Sequence, residues 1–180
     1  MAEFAALRRA PAVSAFAELR LLPPATRFVL RGDAGATCAA GAAVGIDIEE
    51  APCRASQQGT RAALWLGPDE YLLLGPEAEA HALATALEEA LRGEPHALID
   101  VSHRQTALEM RGPRAVDILT SGCPLDLDLM AFPVGMCTRT VFAKAEIVLW
   151  RTAPDAFRIE VWRSFTDYVA RLLGEAAREY

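Results

Sequence analysis

Residues 27–32 read RFVLRG and residues 105–112 read QTALEMRG; both end on an arginine–glycine pair, Arg31-Gly32 and Arg111-Gly112, 80 positions apart. Each run alternates apolar and polar side chains, the period-two signature of a strand, and each glycine closes it. A helix start follows both. Asp33 can cap an alanine-rich helix to about Ala43 that Gly45 stops, and Pro113 opens a short helix ending near Gly122. The order then repeats again. Residues 61–66 and 70–74 form a hairpin around Gly67-Pro68-Asp69, and Gly75-Pro76 opens a helix with the stripe Leu83, Leu87 and Leu91, ended by Arg92-Gly93. In the second half, strands near 137–143, 146–151 and 157–162 precede a final helix. There Ser164 and Asp167 read as a capping box, and Phe165, Tyr168, Val169, Leu172 and Leu173 as a buried stripe.

A further strand is expected at 97–101. This order differs from the regular β-α-β-α of a parallel nucleotide-binding sheet and predicts an α+β fold with an internal duplication. The expected organisation is an N-terminal arm (1–24), a first half (25–103) and a second half (104–180) forming one unit with a shared core. The arm ends at Pro23-Pro24 and reads as irregular, with a short helical turn around residues 13–19.

A chain of 180 residues can bury about 68–70% of the surface its unfolded form exposes, so it needs no disulfide or metal to fold. Hydrophobic residues at 52% and charged residues at 23% exclude general disorder. The longest apolar runs, such as 71–74 and 147–150, are too short to span a bilayer, and Arg8, Arg9, Pro11, Ser14 and Glu18 interrupt any signal-peptide stretch. A soluble, cytoplasmic protein is expected. The net charge of −6 argues against nucleic acid as a partner. Residues 1–31 depart from that balance, with five arginines against two glutamates. None of Cys38, Cys53, Cys123 and Cys137 forms a C-x-x-C, so buried, reduced thiols are expected.

The candidate sites mostly fail on spacing. If 99–103 is extended, Asp100 and Ser102 face one side and Val101 and His103 the other, so His103 cannot serve Ser102 as a base. His81 and His96 lack a second ligand at helical spacing. Asp126 and Asp128 sit in a proline-bounded loop and read as turn residues, and RGDAGAT at 31–37 lacks the lysine of a phosphate loop. No catalytic, cofactor-binding or metal residue is expected. What remains is VWRSF at 161–165: Trp162, Arg163 and Phe165 at a strand-to-helix junction suit a protein–protein hot spot, with His103 and Arg104 behind them. Arg163 gains nothing from the helix dipole there; Phe165 fits the helix's buried stripe.

Three stretches, DVSHRQT (100–106), GCPLDL (122–127) and VWRSFTDY (161–168), with FAKAEIVLW (142–150) between the last two, resemble the gamma subunit of heterotetrameric sarcosine oxidase. LGPDEYLLL (66–74) and the strand–helix unit at 28–43 extend the resemblance collinearly from about residue 24 to the end. It implies a fold similar to the folate-binding aminomethyltransferase domain, itself a duplicated α+β fold. It also implies a non-catalytic assembly subunit partnered by alpha, beta and delta subunits, with no cofactor of its own. In that family's complex, FAD, FMN and NAD belong to the alpha and beta subunits and zinc to delta. The complex demethylates sarcosine oxidatively to glycine, giving formaldehyde or, with tetrahydrofolate, 5,10-methylenetetrahydrofolate, and hydrogen peroxide. The rival is a stand-alone folate-binding protein of the aminomethyltransferase superfamily. Such proteins carry a K-G-C-x-x-G-Q-E type segment, whose counterpart here, VGMCTRT (134–140), lacks the lysine and the G-Q-E.

Overall fold

The computed structural model describes residues 12–14 and 16–180, which divide into two compact units. One unit is Pro24–His103. Its five antiparallel strands are β3 (Ala25–Gly32), β4 (Ala55–Gln58), β5 (Arg61–Gly67), β6 (Glu70–Pro76) and β7 (His96–Asp100), in the order β4-β5-β6-β3-β7. Helices α1 (Ala34–Val44) and α2 (Ala80–Ala90) supply Ala36, Ala40, Val44, Leu83 and Leu87 to a core with Phe28, Leu30, Ala63, Tyr71 and Leu73 of the sheet. The small side chains of α1 give it little apolar surface, so its ends matter. Asp33 Oδ1 accepts from the Ala36 N–H at 3.1 Å, and Gly45 closes the far end. Asp33→Ala should therefore lower the denaturant midpoint, by about 1 kcal/mol of stability, and Asp33→Asn should recover most of it.

The other unit joins Arg104–Tyr180 to the described residues before Pro24. Its strands β1 (Ala12–Ser14), β2 (Ala17–Leu21), β8 (Gln105–Arg111), β9 (Cys137–Phe142), β10 (Ala145–Ala153) and β11 (Ala156–Trp162) run in the order β1-β2-β8-β11-β10-β9. Helices α3 (Ala115–Thr120) and α4 (Thr166–Ala176) close a core holding Leu19, Leu108, Met110, Ile118, Leu149, Phe157, Val169 and Leu173.

The N-terminal arm is thus corrected where it is described. Residues 17–21 are a strand, not an irregular segment or helical turn, and β2 pairs with β8 from Glu18↔Arg111 to Leu21↔Leu108. Ala17 and Leu19 point into the core while Arg20 reaches Glu109 at 2.6 Å, the alternation of a half-buried strand. Strand β4 has no period-two signature in the sequence, because ASQQ carries no apolar alternation.

The duplication is visible in the ladders. Sheet orders β4-β5-β6-β3-β7 and β9-β10-β11-β8-β2 correspond strand for strand. The bulge between Trp65 and Gly67 recurs between Arg151 and Ala153, 86 positions on. Tyr71 lies opposite Leu30 as Phe157 lies opposite Met110. The repeated arginine–glycine pair also finds its cause: the Gly32 N–H donates to Asp69 O at 3.0 Å and the Gly112 N–H to Asp155 O at 2.9 Å, tying each strand end to a hairpin turn. The last correspondents, β7 and β2, are followed in the chain by β8 and β3, strands of the other sheet. Each repeat therefore lends its leading strand to the sheet built by the other repeat.

The start of α4 is a second correction. A 3-10 turn, Arg163–Phe165, precedes it, as Glu77–Glu79 precedes α2. Phe165 occupies the cap position with no side-chain cap bond, so Ser164 and Asp167 form no capping box. The buried residues of α4 are Thr166, Val169, Ala170 and Leu173, with Tyr168 and Leu172 packed partly on the core and Phe165 exposed. Among the described residues no helix is long and apolar enough to cross a membrane.

Candidate subunit interface

Strand β11 ends with Trp162 opposite Gln105, and the Arg163 N–H donates to Arg104 O at 2.8 Å, extending the ladder past the strand end. This register sets Arg104 beside the indole: its guanidinium carbon lies 5.2 Å from the Trp162 ring centroid. A cation over an aromatic face attracts the ring quadrupole and fixes both side chains. The 3-10 turn then swings Arg163, Ser164 and Phe165 outward, all exposed. Phe165 meets Tyr168 edge to face, centroids 6.4 Å apart at 77°. Trp162 and Phe165 each keep 40% of their surface in solvent.

The structure therefore brings four of the five expected residues, Trp162, Arg163, Phe165 and Arg104, into one junction. Phe165 was expected to pack inward and does not. Tyr168, assigned to the core from the sequence, is the ring that supports it. His103 is exposed in the turn before β8, within the Pro24–His103 unit. Strand β7 stops at Asp100, whose Oδ1 accepts from the Ser102 N–H at 2.8 Å. Ser102 Oγ accepts from the Arg27 N–H at 2.9 Å, so this hydroxyl serves the backbone.

The other sequence candidates are used structurally. His96 Nδ1 contacts Glu94 O at 2.8 Å, and His81 is an exposed residue of α2. Asp126 Oδ1 and Asp128 Oδ1 accept from the Asp128 and Met130 N–H groups, which makes them turn residues. Cys137, in the segment compared with folate-binding relatives, is wholly buried in β9. None of the four cysteines is in a disulfide, but only Cys123 and Cys137 are buried; Cys38 is exposed, because it lies on the outer face of α1, and Cys53 is half-buried. An open concavity of about 530 Å³ runs along α1, lined by Thr37, Cys38, Asp47, Ile48 and Glu50 among others. Its lining holds the carboxylates of Asp47 and Glu50 beside Thr37 and Cys38, and no histidine or cation.

Two buried arginines escaped the sequence reading. Arg27 donates to Ala25 O at 2.9 Å. Arg151, 3% exposed, lies 4.8 Å over the Phe157 ring and donates to three backbone carbonyls. Nothing local in the sequence marks Arg151 as buried, because Leu127 O and Phe132 O lie 24 and 19 positions away.

The sarcosine oxidase gamma subunit family matches residues 31–179. The gamma subunit of sarcosine oxidase from an Arthrobacter species is 35% identical, covering 99% of this chain and 94% of its own length. That of Corynebacterium sp. strain U-96 is 35% identical over 90% of this chain and 80% of its own. Among solved structures, heterotetrameric sarcosine oxidase from Corynebacterium sp. U-96, in complex with pyrrole 2-carboxylate, superposes with a TM-score of 0.88 at 32% identity, covering 97% of this chain and 91% of that one. Aminomethyltransferase T of the glycine cleavage system from Bartonella henselae shares the fold alone, with a TM-score of 0.68 at 16% identity over 90% of this chain and 46% of its own. With its duplicated α+β architecture and family motifs in both halves, the chain belongs to the sarcosine oxidase gamma subunit family.

Proposed function

We propose that this chain is a non-catalytic assembly subunit of a heterotetrameric sarcosine oxidase, docking on a larger partner, the alpha subunit, through the Trp162 junction. The observation that carries the reading is Trp162, 40% exposed yet already ordered against Arg104. Exposed tryptophan with neighbouring arginine is the composition that dominates interface energetics once water is excluded. Arg104 and Arg163 make the junction cationic, so the partner surface is acidic around an apolar centre.

In this reading FAD, FMN and NAD reside in the alpha and beta subunits and zinc in delta. The assembled complex converts sarcosine to glycine, with formaldehyde or 5,10-methylenetetrahydrofolate and hydrogen peroxide as the other products. The cytoplasm suits four cysteines that form no disulfide.

Co-purification with alpha, beta and delta subunits tests this. Trp162→Ala and Arg163→Ala are each expected to weaken assembly by about 2 kcal/mol or more, some thirtyfold in affinity. Wild-type recovery by a folded Arg163→Ala chain removes Arg163 from the interface. Failure of the wild-type chain to join any of the three subunits removes the function.

A further inference from the structure

The connection from α3 to β9 carries an apolar tip with no part in the fold's core. Met130 is 91% exposed and Leu129 46%, between the buried anchors Leu127 and Phe132. An exposed methionine in a loose loop would need no explanation. This tip is held from both sides. Asp126 Oδ1 accepts from the Asp128 N–H at 2.9 Å and Asp128 Oδ1 from the Met130 N–H at 2.8 Å. The Phe132 N–H donates back to Asp128 O at 2.8 Å.

Beneath the tip, Arg151 donates through Nη1 to both anchor carbonyls, Leu127 O at 3.0 Å and Phe132 O at 2.7 Å. Burying a guanidinium is costly unless its donors are satisfied, and here they are spent on shaping a loop. The first repeat does not do this: the position equivalent to Arg151 is Trp65, an apolar ring packed on its own core.

We propose that Leu129 and Met130 form a second docking point, a preformed apolar knob that enters an apolar pocket on another subunit of the same complex. The pocket carries a basic rim, because the exposed carboxylates of Asp126 and Asp128 flank the knob. A tip already fixed in its bound shape loses little conformational entropy on docking, which is what the buried arginine secures. The inference rests on the assembly reading above but uses residues separate from the Trp162 junction.

The test is co-expression of the tagged full chain with alpha, beta and delta subunits, comparing wild type, a Leu129→Glu/Met130→Glu double variant and Met130→Leu. The double variant is expected to keep the unfolding midpoint of the free chain and to lose about thirtyfold in affinity for the other subunits, while Met130→Leu assembles normally. A charge-neutralising Asp126→Asn/Asp128→Asn variant, which keeps an Oδ1 acceptor for each backbone N–H, should weaken assembly, and more so at low salt. Wild-type assembly by the folded double variant overturns the proposal with the assembly reading intact. Selective loss of self-association, with subunit binding unchanged, also overturns it by placing the pocket on a second copy of this chain. A wild-type chain that joins no subunit fells both readings, a result recognisable from the wild-type lane alone.

Discussion

Replacing Arg151 by leucine is expected to destabilise the fold by about 3–5 kcal/mol, because it strands the carbonyl acceptors its guanidinium satisfies. The guanidinium donates to Leu127 O and Phe132 O through Nη1, and to Pro154 O through Nε at 3.1 Å and Nη2 at 2.6 Å. Burial pushes its pKa below the ordinary arginine value, while Asp128 and Asp155 pull it back up. Leucine leaves three carbonyls without donors, each worth about 1–3 kcal/mol if water cannot reach it. The Pro154 carbonyl contact is only partly buried, which keeps the expected total toward the low end of that sum. Arg151→Lys should recover only part of the loss, because one ammonium cannot span three acceptors set for a planar fork. Chemical denaturation of the three chains decides it; a leucine variant within 1 kcal/mol of wild type (about fivefold in the folding constant) would show that the network is not structural. Limited proteolysis should cut first at residues 126–131, whose anchors the arginine holds.

Gly112→Ala is expected to cost about 3 kcal/mol, from backbone strain of roughly 1–3 kcal/mol plus a steric clash. Gly112 has φ +130°, and a Cβ there would lie 2.5 Å from Phe16 O and 2.9 Å from Ala17 Cα. Both are backbone atoms, so relief requires moving β2 away from β8. Phe16 O also accepts from the Arg114 N–H at 3.2 Å, and that bond would be strained with it. Gly59 is the control: its φ is +59° and no atom lies within 4 Å of the added Cβ. Gly59→Ala should lose only the left-handed penalty, about 1 kcal/mol. Equal thermal midpoints for the two variants would refute the close-approach argument.

Much of the molecule was legible in the sequence because its signals are local. Period-two alternation at 105–111 needs only a sheet with one buried face to be read correctly, and Leu83, Leu87 and Leu91 meet on one side of a helix by geometry alone. Asp33 reaches the Ala36 N–H three residues away, so its capping role is written within one turn. The arginine–glycine repeat disclosed the duplication, and the motifs of residues 100–168 carried the family.

Tertiary structure decided what depends on distant partners. A five-residue segment such as 17–21 becomes a strand only because β8 offers it a ladder about 90 positions away in the chain. Phe165 was placed inside by counting 3.6 residues per turn from a helix that begins one residue later. The 3-10 turn before it advances three residues per turn, so the stripe's phase does not extend back to Phe165, which faces out. Arg151 reads as a surface charge until the fold sets loop carbonyls at 127, 132 and 154 around it, because a buried cation is tolerated only where remote acceptors converge.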